Sequence, residues 1–510
     1  MRMEHTLAET ARLSPDATAI VDGDTRLTYR ELERLSGTLA AALQQRGVGP
    51  GDRIVLFLDN GWRTALTIFA ALKAGAIVCP VNPSVKGAGL KHVIADCNPH
   101  TLICKSRHLP LVESAIQIPL PPRCIVSDKE GRDSIEGLSE LLATEHDFHS
   151  IPDDAEALAF ILYTSGSTGQ AKGVMMSHAS VDAASRMIAD YLESTDTDVI
   201  LSALPLTFTY GLYQLLVTIR TGGCLVLEKN FAFPHALLEK AQREKVTGLP
   251  LVPTMAAMLV QMQEVPATSL PRLRYMTNAA SALPAAHISS LRRLFPQARL
   301  FSMYGLTECA RATYLPPEEI DRRPDSVGKA LPGTQAFVID DNGHPAPPGT
   351  TGELVVRGPH VMKGYWNAPE ATERALRALP DGEGKALHTG DLFFADDDGF
   401  LHFVARRDDI VKVRGEKVAP RAVEAFLTGL PGIGEALVYA VPDPLLGHRL
   451  EALVVPTDDT LSINGLLRHC ARHLPDTMVP KGIGFRKELP RTASGKPSRR
   501  LAAMEAMQRS

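Results

Sequence analysis

Tyr163-Thr164-Ser165-Gly166-Ser167-Thr168-Gly169-Gln170-Ala171-Lys172-Gly173 follows directly on the apolar run Leu158 to Leu162. Glycines let a backbone approach an anion and adopt φ > 0. Ser and Thr hydroxyls and bare N–H groups donate to phosphate oxygens, and Lys172 adds a mobile positive charge. A flexible Gly/Ser linker does not ordinarily follow a buried strand, so the stretch reads as a phosphate-binding loop. It is not the common nucleotide loop, which needs Gly-Lys-Ser/Thr after four spacer residues; here Lys172 precedes Gly173. A different phosphate chemistry is implied.

Outward from this loop, strand and helix patterns alternate. Thr28 and Glu31 form a capping box ahead of Leu32, Leu35, Leu39 and Leu43, whose spacing describes one apolar helical face. Ile54 to Leu58 reads as a buried strand, followed by a helix through Ala65 to Ala74 and a strand at Ala76 to Cys79. The pattern recurs at Ser180 to Tyr191, Val199 to Ala203, Gly223 to Glu228, Pro234 to Glu244 and Leu283 to Phe295, which predicts an α/β fold with parallel sheets. After Pro332 the texture changes to short strands and tight turns, as at Asp340-Asp341-Asn342-Gly343 and Asp396-Asp397-Asp398-Gly399, indicating a small β subdomain. At 510 residues the chain exceeds what one core sustains.

The four charges Arg406-Arg407-Asp408-Asp409 mark a boundary, dividing 1–407 from a C-terminal domain at 408–510. From Arg406 onward there are 17 Lys plus Arg against 12 Asp plus Glu, so the part before it carries −9 of a chain whose net charge is −4. That overall charge, without a basic run interleaved with aromatics, argues against a nucleic-acid partner. Seven scattered cysteines without a CxxC pair argue against a disulfide framework or a zinc site and suggest reduced thiols in a cytoplasmic protein. Neither a signal peptide nor a membrane span is expected, since no stretch approaches 18 uninterrupted apolar residues.

Thr164 to Gly173 resembles the signature of the adenylate-forming superfamily of acyl-CoA synthetases, peptide-synthetase adenylation domains and firefly-type luciferases. The family's further motifs follow in order: Tyr304-Gly305-Leu306-Thr307-Glu308, Thr389-Gly390-Asp391, Arg406 to Gly415, and Arg491-Thr492-Ala493-Ser494-Gly495-Lys496, while Leu27 to Leu32 resembles its opening segment. The resemblance implies a large multi-subdomain N-terminal domain and a small mobile α+β C-terminal domain. It also implies an ATP-dependent, AMP-forming acid–thiol ligase. By resemblance, Thr164, Ser165, Gly166, Ser167, Thr168, Gly169 and Lys172 hold the β- and γ-phosphates, Thr307 contacts phosphate and Glu308 binds Mg²⁺. Tyr304 and Gly305 border the adenine, as do Ala279, Ala280 and Ser281, which stand where the family usually has a Gly-Gly-Ala strip. Asp391 accepts the ribose hydroxyls and Arg406 approaches the same ribose. Lys496 bridges carboxylate and α-phosphate, Lys412 is a second phosphate-neutralising lysine with Lys417 nearby, and Asp408 is the hinge about which the small domain turns between two half-reactions.

For the acid, Thr207 to Gly211 aligns with a segment that often carries histidine, and Phe208 takes its place. Amino-acid-activating members put an aspartate near Thr209 to pair the substrate ammonium, and leaving that ion unpaired is costly. A fatty or aryl acid is therefore favoured, with Phe208, Tyr210, Gly211, Leu212, Tyr213, Met255 and Met258 as pocket walls. The thiol acceptor is coenzyme A or the phosphopantetheine of an acyl or peptidyl carrier protein. Alternatives are an amino-acid-activating enzyme loading a carrier protein, an acyl-AMP ligase without thiol transfer, a luciferase-like oxygenase, or a non-catalytic nucleotide-binding regulator.

Overall fold

Thr28 and Glu31 decide where the first long helix begins. The Thr28 hydroxyl accepts the Glu31 main-chain N–H at 3.2 Å while the Thr28 N–H donates to Glu31 Oε2 at 2.8 Å. Both bonds satisfy donors that a helix start leaves without intrahelical partners. Tyr29–Gln45 then buries Leu32, Leu39 and Leu43, with Leu35 half-buried beside them. The computed structural model describes residues 1–116, 123–129, 135–144, 147–165, 171–262, 270–279, 282–413, 416–443, 447–457, 461–492 and 495–508. Contacts divide the chain into one unit of Met1–Phe337, Val355–Thr389 and Asp397–Leu401, and another of Val338–Leu354, Gly390–Asp396 and His402–Ser510.

The first unit is built on two sheets. In one, Arg53–Phe57 lies between Ile77–Pro80 and Thr101–Cys104, parallel to both, and Arg123–Val126 extends the parallel series. Such strands are buried on both faces, and Ile54, Val55, Leu56 and Phe57 have no exposed surface. In the other, Arg299–Tyr304, Tyr275–Asn278, Gly248–Leu251, Val199–Ser202, Cys224–Leu227 and Thr18–Asp22 run parallel in that order. Helices His178–Leu192, Thr209–Thr221, Pro234–Arg243 and Ala285–Leu294 fill the connections, as the alternating pattern requires.

The phosphate loop departs from the expected outline at its boundary. The strand continues beyond Leu162 to Ser165, and Ala171–Ser177 returns antiparallel to it, with Tyr163 opposite Gly173 and Thr164 opposite Lys172. The loop therefore joins two strands, not a strand to a helix. Gly173 is required by packing: a Cβ there would lie 2.6 Å from the Ile161 side chain.

Strands Gln335–Ile339, Gly352–Arg357, Lys385–Ala395 and Leu401–Arg406 carry residues of both units, with Gly343 and Gly399 at φ +85° and +80° in the tight turns read from the sequence. In the second unit, Ile433–Asp443 pairs antiparallel with Gly447–Pro456, which pairs parallel with Gly482–Phe485. Period-two alternation splits the first of these strands between two clusters. Leu437, Tyr439 and Val441 pack with Ala502 of helix Arg499–Met507, whereas Val438 packs with Val423 and Leu427 of helix Pro420–Thr428. The chain is thus an α/β protein with a large sheet-based unit and a smaller α+β one.

Candidate active site

Strand Arg299–Tyr304 delivers the segment Gly305 to Glu308 at its C-terminal end, where open parallel sheets place ligand-binding loops. Gly305 is dictated by close approach, since a Cβ there would sit 2.4 Å from the Ala310 carbonyl oxygen. Thr307 Oγ1 lies 3.4 Å from Thr209 Oγ1, at the start of helix Thr209–Thr221. The Tyr365 hydroxyl donates to Glu308 Oε1 at 2.8 Å, and Lys172 Nζ lies 5.3 Å from the centre of the Tyr365 ring. Tyr365 belongs to the short strand Gly364–Tyr365 that pairs with Ala171–Ser177. One aromatic side chain thereby ties the lysine of the expected phosphate loop to the acid of the second motif.

Glu308 is half-buried, and no described lysine or arginine forms an ion pair with it. Groups of three or more potential metal ligands are absent among the described residues. A single carboxylate with an open oxygen fits Mg²⁺, which keeps much of its water and is shared with substrate phosphates, and does not fit a protein-caged metal.

Ala279 follows strand Tyr275–Asn278 and is 3% exposed. Tyr210 bonds to the same strand, its hydroxyl 2.7 Å from Thr277 Oγ1. Of the expected acyl-pocket walls, Phe208 and Tyr210 are half-buried at the head of their helix, while Tyr213 and Met255 are buried in two separate core clusters that Tyr210 touches together. Gly211 serves the backbone: a Cβ there would meet the Pro205 carbonyl oxygen at 2.2 Å.

In the second unit, Arg406 Nε donates to Asp391 Oδ1 at 3.0 Å, bringing together the two residues expected at the ribose. Gly390, at φ +70°, donates its N–H to Glu353 Oε1 at 3.0 Å, which fixes the turn presenting Asp391. Lys496 is exposed at the end of a tight turn in which the Gly495 N–H donates to the Thr492 carbonyl and the Thr492 N–H to the Lys496 carbonyl, both at 2.8 Å. Arg491 anchors this turn, reaching the Gly495 carbonyl at 3.0 Å and Glu435 at 2.5 Å. Asp408 lies in the helical turn Arg407–Asp409, and Lys412 stands opposite Lys417 in a two-stranded ladder. Gly166, Ser167, Thr168, Gly169, Ala280, Ser281, Arg414, Gly415, Ala493 and Ser494 lie outside the described residues, as do the side chains of Ser165, Asp408, Lys412 and Lys417.

Sequence reasoning missed Tyr365, Glu353 and Arg311, and gave Arg491 no role beyond its place in the last motif. Tyr365 and Glu353 act through neighbours distant in sequence. Arg311 is 4% exposed, its guanidinium 5.2 Å from the Tyr210 ring centre. Nothing in Cys309-Ala310-Arg311-Ala312 signals that burial.

The model of the AMP-binding enzyme family matches residues 7–366, and that of the AMP-binding enzyme C-terminal domain matches residues 422–496. The chain belongs to the AMP-binding enzyme family. Among similar proteins are a feruloyl-CoA synthase of Amycolatopsis sp, 34% identical over 95% of each chain, and a long-chain-fatty-acid–CoA ligase of Salmonella typhimurium, 31% identical over 96% of this chain and 92% of that protein. ATP-bound MatB from Rhodopseudomonas palustris superposes with a TM-score of 0.89 at 29% identity, covering 99% of both chains. All seven cysteines are free, and no helix among the described residues is long and apolar enough to cross a membrane.

Proposed function

We propose that this AMP-binding enzyme activates the carboxylate of a predominantly apolar acyl or aryl acid with ATP and then transfers the acyl group to the thiol of coenzyme A. In the first step a carboxylate oxygen bonds to the α-phosphorus while the bond to the bridging oxygen breaks, and pyrophosphate leaves. In the second the thiol sulfur, as thiolate, bonds to the acyl carbon and AMP departs. The linkage of Lys172 to Glu308 through Tyr365 carries this reading, because it sets a cation, a hydroxyl and a carboxylate around one place for phosphates.

The loop from Thr164 to Lys172 holds the β- and γ-phosphates, and Thr307 orients the α-phosphate. Glu308 would hold Mg²⁺, which supplies neutralisation of phosphate charge when bound. Tyr304, Gly305 and Ala279 to Ser281 border the adenine, and Asp391 with Arg406 holds the ribose. Lys496 neutralises charge where carboxylate and α-phosphate meet, with Lys412 assisting. Its turn, braced by Arg491 and Glu435, gives that lysine a fixed base from which to reach. The division at 407/408 is supported by the gap between the two matched family segments, residues 367–421, within which Asp408 is the hinge for the thiol step.

An α-amino acid is disfavoured because Thr209 offers no charge for its ammonium. The test is product analysis with Mg²⁺, ATP and an acid panel. AMP and pyrophosphate are expected, and a thioester once coenzyme A is added. ADP with orthophosphate would refute the reaction, and transfer only to a phosphopantetheinylated carrier protein would replace coenzyme A as the acceptor.

A further inference from the structure

Arg311 stands inside the first unit without a described counter-ion. Its guanidinium cannot shed its proton, so burial leaves a permanent cation in the core. Nε makes no hydrogen bond to any described residue. Glu308, three residues before it, accepts from Tyr365. What faces the guanidinium is the Tyr210 ring, whose cation–π attraction offsets only part of the lost hydration.

A second buried polar atom lies on the same helix as Tyr210. The Tyr213 hydroxyl, three residues on from Tyr210 in helix Thr209–Thr221, also has no hydrogen-bond partner among the described residues. The Tyr191 hydroxyl also lies against the guanidinium, but Arg311 Nε and the Tyr213 hydroxyl are left without a described partner, an incomplete set because buried polar groups are ordinarily satisfied. The same helix begins at Thr209, whose hydroxyl approaches Thr307, and Tyr210, the ring facing the guanidinium, is half-buried among the residues expected to wall the acyl tail.

We propose that Arg311, with Tyr213, forms a specificity subsite for a hydrogen-bond-accepting oxygen on the acid, remote from the carboxylate that is adenylated. The substrate class narrows from plain apolar acids to acids whose tail carries a second carboxylate or a hydroxyl. The subsite rests on the acid-activating reading above. The competing role for Arg311 is purely structural, bracing Tyr210, and it would not distinguish one acid from another.

The test measures acid-dependent ATP–pyrophosphate exchange by the full chain with matched pairs: hexanoate and adipate, octanoate and suberate, 3-phenylpropanoate and 3-(4-hydroxyphenyl)propanoate. Wild type should favour the oxygen-bearing member of at least one pair by tenfold or more in kcat/KM, about 1.4 kcal/mol. The pairs that respond tell carboxylate from hydroxyl. Arg311→Met should abolish or invert that ratio mainly through KM, and Arg311→Lys should keep part of it. Thermal stabilisation by ATP, measured in parallel, reports whether each variant retains a folded nucleotide site; if Arg311→Met does not fold, Arg311→Gln is scored by the same ratio. Equal loss toward both members of every pair, or a wild-type preference for the unsubstituted acids, overturns the subsite while leaving the acid-activating reading intact. Exchange with no acid at all would instead overturn that reading, and the subsite with it.

Discussion

Lowering the pH from 7.5 to 5.5 should weaken the larger unit through two histidines that fold neutral. His178 and His360 have no exposed surface. The Met3 N–H donates to His178 Nδ1 at 3.1 Å, so that nitrogen is an acceptor and the ring is uncharged. Glu4 Oε2 is 3.6 Å from that nitrogen, which already accepts from Met3, and the other Glu4 oxygen is paired with Arg2 at 2.5 Å. Burial, then the charge of Arg2, push His178 down to about 3. Burial pushes His360 down to about 4, opposed by the Arg311 main chain. Unfolded, each titrates at about 6.5, so below that pH the unfolded chain binds more protons than the folded one. Stability is present above that value and falls as pH drops toward the folded values, by about 1.4 kcal/mol per histidine at pH 5.5. Two such terms, about 3 kcal/mol, are a sizeable share of a typical domain's stability. Trp62 and Trp366, the two tryptophans of the chain, both lie in the larger unit, so urea unfolding followed by their fluorescence reports on it selectively. His360→Leu should remove one of the two terms, losing about 1.4 kcal/mol less than wild type between pH 7.5 and 5.5. Parallel losses in the two proteins, within about 0.3 kcal/mol, would refute the assignment of a neutral buried His360.

Lys496→Ala should slow adenylation by two or more orders of magnitude, about 3 to 4 kcal/mol, yet keep most thiol transfer from preformed acyl-AMP; equal slowing of both half-reactions would contradict its assigned role. Asp408→Pro should spare pyrophosphate exchange and suppress thioester formation by fixing φ at the hinge, and an intact thioester rate would remove Asp408 from that role. Gly305→Ala forces a Cβ to 2.4 Å from the Ala310 oxygen, so the backbone must shift; a cost of about 1 to 3 kcal/mol and a sharp loss of exchange activity are expected, measured by urea unfolding and pyrophosphate exchange.

Much of the fold was legible because its signals are local. The capping box at Thr28 and Glu31, the buried runs such as Ile54 to Phe57, and the Asp-Gly and Asn-Gly turns each depend on residues a few positions apart. The extent of the strand before the phosphate loop was not legible, because Tyr163 to Ser165 are held by pairing with Ala171–Ser177 across the loop and polar residues in a hairpin carry no apolar signal. Tyr213 and Met255, expected together as pocket walls, belong to different clusters joined by Tyr210, a distinction that apolar character alone does not encode.

By itself, then, the sequence determined the alternation that makes parallel sheets, the order of the family's motifs and the kinds of side chain each carries. Those properties reside in residue type and short spacing. Only the tertiary structure decided which groups meet: Lys172 and Glu308 across Tyr365, Gly390 on Glu353, the Lys496 turn on Arg491 and Glu435, and a lone arginine sealed beside Tyr210. Apart from Arg491 and its own turn, the partners in these pairs lie tens to hundreds of positions apart, and Arg311 carries the same charge in the sequence as any surface arginine. Burial, which strips away the water that would otherwise solvate that charge and leaves it in want of an acceptor, is a property of the packed chain and not of the residue.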